Sequence, residues 1–246
     1  RQGELSLTPA GRRLYKFSQE LFAKIEDLEQ SLAHLDELSG VLRIGTYESL
    51  GEVIWPDVLT NLKARFPQLL VHLETEGRQQ IWSRLKAGAL EVIVDAEPVQ
   101  LPSFTSEVLY KDEFQIYQVA RTKGSMSRAS ETALPFAYVE SATDRKQVSI
   151  RDHLVSRGIE HQLIYSVQSF TFARSLILKG LCYGVLPTRL AGPELLAKRL
   201  EVFKKDGKPV KFGEHRICAT YAEHAHENPR IRAVIKAMKD CLHVES

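Results

Sequence analysis

The sequence predicts an α/β protein built as two lobes behind one long helix. Three observations predict it. A stretch without Gly or Pro carries apolar residues in steps of three and four. After Gly40, short apolar runs alternate with helical segments. That strand–helix order then occurs twice, with Gly or Pro closing the helices, as parallel α/β units require. Composition agrees with a folded chain: 246 residues, 43% hydrophobic and 26% charged, enough for one large or two small domains. A net charge of +2 gives no strong field, so composition alone does not announce a nucleic-acid binder. No apolar run approaches the ~20 residues of a membrane-spanning helix, and no membrane partner is expected. The opening residues lack the apolar core of an export signal. Three cysteines, Cys182, Cys218 and Cys241, make no disulfide framework. The expected compartment is the cytoplasm.

Thr8-Pro9 reads as a side-chain cap followed by Pro at the first helical position. From Arg12 to Leu38 the apolar residues Leu14, Phe17, Leu21, Ile25, Leu28, Leu32, Leu35 and Leu38 form one stripe on an otherwise polar rod. The rod would extend ~40 Å at ~1.5 Å per residue. Its stripe needs a cover, either its own domain or, as the near-heptad spacing favours, a helix of a second copy.

Val41–Thr46 reads as a buried strand, Gly51–Phe66 as a helix stopped by Pro67, and Leu69–Thr75 as a strand. Gln79–Ala87 is a helix and Glu91–Asp95 a strand. Ser106–Tyr110 and Glu113–Ala120 read as two strands leaving the first lobe and entering the second. There Phe136–Glu140, Gln162–Val167 and Cys182–Leu186 read as strands, and Asp144–Arg157 and Ser169–Lys179 as helices. His215–Tyr221 and the helix Asn228–Leu242 would return the chain to the first lobe, with a hinge near Gln118 and Cys218.

In such sheets ligands bind beyond the carboxyl ends of the strands, at helix N-termini. That rule selects Thr46, Tyr47, Glu48, Ser49, Arg78, Gln79 and Asp95 in the first lobe. In the second it selects Ser141, Thr143, Gln168, Ser169 and Phe170. Ser49, Thr143 and Ser169 also read as ordinary helix caps, and a capped end can still face a cleft.

Leu7-Thr8-Pro9-Ala10-Gly11 and the long helix resemble the end of the winged helix-turn-helix and the linker helix of LysR-type transcriptional regulators. Gly45 with Pro56, Phe66-Pro67-Gln68-Leu69, the run from Leu85 to Val94, and Leu178 to Pro187 are similar to that family's motifs, in family order. The chain departs from the pattern at Glu91, where Asp is usual, and at Arg78, where a small hydroxyl residue often touches the effector. The resemblance implies a two-lobed, type 2 periplasmic-binding-protein-like effector domain and not an enzyme. It also implies a small-molecule or ion effector between the lobes, a homodimer or homotetramer, and DNA contacted through an N-terminal domain outside this chain. Cofactors are not expected. The domains expected are 1–11 (end of the winged helix), 12–39 (linker helix), 40–117 (lobe I), 118–217 (lobe II) and 218–246 (return to lobe I). The alternative is a stand-alone solute-binding protein of the same fold, against which the Leu7–Gly11 segment and the long helix argue.

Other constellations read as structure. His224 and His226 are too close in sequence for a helical metal pair. Cys182 sits in an apolar run, as a core residue would. Tyr47 occupies the first Gly position of a nucleophile elbow around Ser49, which excludes that motif. The lysines from Lys198 to Lys211 read as a solvated surface.

Overall fold

The computed structural model describes residues 8–33, 38–98, 101–120, 134–139 and 149–242. Thr8 opens α1 (Pro9–Ala33) by accepting the Gly11 amide on Oγ1 at 3.0 Å. Leu14, Phe17, Leu21 and Ile25 stay 40–65% exposed, so the stripe of α1 from Leu14 to Ile25 lies largely uncovered by the described residues of its own body. Residues 34–37 lie outside the described residues, and Leu38 already follows the helix.

Lobe I begins with β1 (Gly40–Thr46), α2 (Glu48–Arg65), β2 (Leu69–Thr75), α3 (Arg78–Lys86) and β3 (Val92–Ala96). Then β4 (Phe104–Val119) leads into lobe II: β5 (Leu134–Val139), α4 (Ile150–Ser156), β6 (His161–Val167), α5 (Phe170–Leu178), β7 (Tyr183–Pro187), α6 (Thr188–Leu196) and β8 (Leu200–Val202). A small hairpin, β9 (Lys204–Lys205) and β10 (Lys208–Pro209), precedes β11 (Lys211–Ala222), a 3-10 turn (Glu223–Ala225) and α7 (Pro229–Leu242).

Two cores define the lobes. In lobe I, Leu42, Ile44 and Val94 meet Ile54 and Trp55 of α2 and Val234 and Met238 of α7. In lobe II, Phe136, Val185 and Leu186 meet Ile177, Leu190 and Phe212. Yet the strands form one hydrogen-bonded path, β2-β1-β3-β11-β4-β7-β5-β6, and not two separate sheets. The first half of β4 pairs with β11 beside β3, while Phe114–Tyr117 pair with β7. The pairing with β11 continues to Gln115, so the two sets of partners overlap at Phe114 and Gln115, and Gln118 already lies in lobe II, bonded to Glu201 at 2.6 Å.

Several expectations are corrected here. The two strands expected at Ser106–Tyr110 and Glu113–Ala120 are one continuous strand, because Asp112 finds backbone donors and needs no loop to reach water. The helix expected from Asp144 starts at Ile150, since Ser149 caps it by accepting the Asp152 amide at 3.1 Å. Ser49 is not a cap: α2 starts earlier, at Glu48, behind an extended Tyr47 that supplies no side-chain cap. Helix α6 is an addition. Gly192 and Pro193 inside it hide it from a propensity reading.

Gly45 fixes where the site forms. A Cβ there would lie 2.6 Å from Leu90 Cδ1 and 3.2 Å from Ile81 Cβ, so only Gly lets α3 and its following turn sit this close to β1. Ile81, Leu85, Leu90 and Ile93 fill that contact, and Tyr47 and Trp82 pack against it.

Candidate functional site

At the carboxyl edge of lobe I, Asp95 is fully buried. The Tyr47 hydroxyl donates to its Oδ1, Trp82 Nε1 donates to Oδ2 at 2.6 Å, and the Ala96 amide donates to Oδ1 at 2.6 Å. A guanidinium nitrogen of Arg78 lies 3.2 Å from Oδ2. Burial pushes the Asp95 carboxyl above its ordinary value, against the opposing pull of the Tyr47 and Trp82 donors, Arg78 and the Ala96 amide. Burial and the neighbouring carboxylate push the Tyr47 phenol up as well. Thr46, also fully buried, leaves Oγ1 without a partner among the described residues. Neither Tyr47 nor Gly77 caps its helix with a side chain, and the Gln80 amide of α3 turns back to the Gly77 carbonyl at 3.1 Å.

Lobe II meets this edge through α5. Ser169 caps α5 by accepting the Phe172 amide at 3.3 Å, and the same hydroxyl donates to Glu48 of lobe I at 2.7 Å. Ser169 therefore caps α5 and also reaches lobe I. One turn further along each helix, Arg174 donates to Glu52 at 2.6 Å. Val53 of α2 packs on the lobe II core, so α2 touches both cores.

The crossing between the lobes holds a second group of buried polar residues. Phe114 on β4 stacks on His215 of β11 with centroids 4.3 Å apart, and on Phe170 of α5 at 5.5 Å. His215 is 5% exposed and its Nδ1 has no hydrogen-bond partner among the described residues. Burial lowers its pKa to about 4, against the pull of Glu97 and Glu214, so the ring is neutral at pH 7. Asp112, opposite His215 in the ladder, accepts from the Glu113 amide at 2.9 Å and from the Arg189 amide with both oxygens at 3.3 and 3.4 Å. It therefore caps α6 from a different strand, and its burial raises its pKa to about 6. Glu97 adopts φ 64 at the end of β3 and is held there by Arg216, through its amide at 2.9 Å and its guanidinium at 3.1 Å.

Of the residues predicted from sequence, Tyr47, Arg78 and Asp95 meet each other directly, and Glu48 meets Ser169 across the lobes. Phe170 joins the ring stack; Gln79 and Gln168 stand exposed on the same edges. Ser49 lies inside the first turn of α2, and Ser141 and Thr143 lie outside the described residues. The sequence reading missed Trp82, Glu52, Arg174, Asp112 and His215. Glu52 was findable, one turn after Glu48 on the same helix face. The crossing residues were not, because their partners come from distant strands.

Among the described residues no group of His, Cys, Asp and Glu is placed to hold a metal ion. His226 is taken up by the Tyr221 hydroxyl at 3.0 Å. Residues 35–242 match the model of the LysR substrate binding domain. The chain belongs to that family.

Relatives of this LysR domain carry regulator names. A probable hydrogen peroxide-inducible genes activator of Mycobacterium xenopi is 26% identical over 44% of this chain and 58% of its own length. The transcriptional regulator YtlI of Bacillus subtilis is 27% identical over 38% of this chain and 31% of its own length. The aligned part is thus well under two thirds of either relative. YkuM of Bacillus subtilis, an HTH-type transcriptional regulator, is 21% identical across 100% of this chain and 82% of its own length. Among solved structures, DarR of Vibrio fischeri in complex with DNA superposes with a TM-score of 0.67 at 17% identity, over 96% of this chain and 80% of that one. Full-length OxyR of Pseudomonas aeruginosa gives 0.63 at 16%, over 98% and 81%. Those likenesses establish the two-lobed fold of the LysR domain. No described helix is long and apolar enough to cross a membrane.

Proposed function

We propose that this LysR domain is the sensing and oligomerising part of a cytoplasmic transcriptional regulator, without enzymatic activity. A small molecule or ion binds between its lobes, at Thr46, Tyr47, Glu48, Arg78 and Asp95 on one side and Ser169 and Phe170 on the other. The observation that carries this reading is the pair of contacts bridging the two edges, Glu48–Ser169 and Glu52–Arg174. Contacts of side chains across a cleft, between cores linked by two crossing strands, give two lobe arrangements that a ligand can bias. A ligand must bind one arrangement better than the other to shift the balance, and couplings of ~1–3 kcal/mol are typical.

The uncovered stripe of α1 supports a partner helix from a second copy, as homodimer or homotetramer, through which lobe movement reaches DNA-binding heads. We divide the chain as 1–11, 12–39, 40–117, 118–217 and 218–246, with the start of the β7 pairing at Phe114 as a reason to draw the first crossing earlier. Thiol sensing of peroxide, which relatives' names bring up, is not favoured. Cys182 and Cys218 are buried, and burial pushes the Cys218 thiol up to about 12.

Small-angle scattering of the chain and gel-shift of its full regulator, each with metabolites that raise the Tm, test the reading. A stabilising ligand should change the lobe spacing and the operator affinity together. Stabilisation that survives Thr46→Ala, Tyr47→Phe and Asp95→Asn alike would put the ligand elsewhere.

A further inference from the structure

Asp95 and Arg78 are unequal partners. The carboxylate cannot turn away, because Tyr47 holds one oxygen and Trp82 the other. The guanidinium can. Its side chain is 46% exposed, and it reaches Asp95 with a single nitrogen at 3.2 Å instead of the two parallel bonds of a well-made pair. Arg78 is also the first residue of α3, whose first turn has no acidic residue, so it stands at the positive end of the helix dipole, where a cation is disfavoured. The half-exposed guanidinium is held loosely, so another positive charge that reaches the fully buried carboxylate can take its place.

The other charges on this edge point the same way. Glu97 is paired with Arg216 and Glu52 with Arg174, whereas Glu48 has a hydroxyl, Ser169, and no cation among the described residues. An anion bound here would share the edge with Glu48 and Asp95. The two rings that hold Asp95, a tyrosine and a tryptophan, are of the kind that attract cations.

We infer that the effector carries a small organic cation, a primary ammonium or a guanidinium, which takes Asp95 from Arg78. Arg78 is the resident stand-in for that group. The inference rests on the reading of the cleft as the sensing site, and it gives that site a ligand class. Displacement sends Arg78 toward solvent and leaves Tyr47 and Trp82 to orient the carboxylate for the incoming donor.

Titration calorimetry at pH 7.5 with agmatine, putrescine and ethylamine, against succinate and sulfate, tests it. At least one of the three amines should bind. Removing the competitor in Arg78→Ala should tighten that amine by ~10-fold or more, the gain expected when an occluded state is abolished. Asp95→Asn should lose the binding; because Arg78 is half-exposed, Arg78→Ala keeps the test usable if Asp95→Asn fails to fold. No amine binding to either the native chain or Arg78→Ala overturns the inference. Succinate or sulfate binding that Arg78→Ala weakens also overturns it, while leaving effector sensing in place. An amine that binds as expected but leaves lobe spacing unchanged in scattering keeps the cation site and removes the sensing reading.

Discussion

Lobe I's edge and the crossing between the lobes each bury a carboxylate, and they satisfy it differently. Asp95 is held mostly by side chains, one of them the half-exposed Arg78, with a single backbone amide, that of Ala96. Asp112 is held by backbone amides, of Glu113 and of the first turn of α6. Backbone donors fixed in a strand and a helix cannot leave, whereas a guanidinium on four rotatable bonds can. The edge is therefore built to exchange partners, and the crossing is built to keep them. His215 belongs with Asp112: stacked on Phe114 and nearly without exposure, it titrates only if the crossing opens.

The largest effect expected from this contrast is on acid stability. With its folded pKa held down at about 4, His215 binds fewer protons when folded than when unfolded between pH 6.5 and 4. Its contribution to stability is thus complete above pH 6.5 and falls as pH drops toward 4. Asp112, raised to about 6, has the opposite sign, so acidification through pH 6 relieves the cost of burying its charge. Each displacement corresponds to roughly 3 kcal/mol at most. In urea unfolding between pH 7 and 4.5, His215→Phe should therefore gain stability relative to the native chain as pH falls. Asp112→Asn should lose relative stability over the same range. Parallel curves for all three proteins would break the assignment of fixed, buried groups to the crossing.

Next in size, Asp112→Ala should cost about 1–2 kcal/mol at pH 7, the usual worth of a helix cap. Hydrogen exchange would locate the loss at the start of α6. Arg78→Ala should cost less, about 1 kcal/mol or below, because the pair is partly solvated. A loss as large as that of Asp112→Ala would erase the distinction between the two regions. Smallest is Glu52→Gln, worth about 0.5 kcal/mol at its exposed position, but it should widen the lobe spacing in scattering because it loosens the Arg174 contact. An unchanged spacing would mean that Val53 and Ser169 suffice to hold the lobes together.

The sequence already revealed most of lobe I, and particular residues show why. The strand Leu69–Thr75 is found at its expected bounds, since Pro67 and Gly77 mark both ends locally. Helix α5 and its Ser169 cap are likewise written in adjacent residues. Helix α6 was hidden because its cap, Asp112, lies on another strand. The unbroken course of β4 was hidden for the same reason, as a run through Lys111, Asp112 and Glu113 looks like a loop until their partners are known. At the candidate site, strand ends and helix starts picked out Tyr47, Arg78, Asp95 and Ser169. Neither rule could reach Trp82 inside α3 or His215 at the crossing, because what matters there is which distant element stands opposite.

The long ladder of β4 and β11 limits how this protein can move. Since the two strands stay paired from Phe104 to Gln115, with register shifts at Ile217/Cys218 and Lys211/Glu214, the lobes cannot simply separate; they rotate by twisting a two-stranded ribbon. Such a ribbon behaves as a torsion spring, storing little energy at small angles and returning the molecule to its starting shape once the load is removed. Main-chain amides along the ribbon should accordingly be among the slowest in the molecule to exchange, even while the helices on either side of it change neighbours.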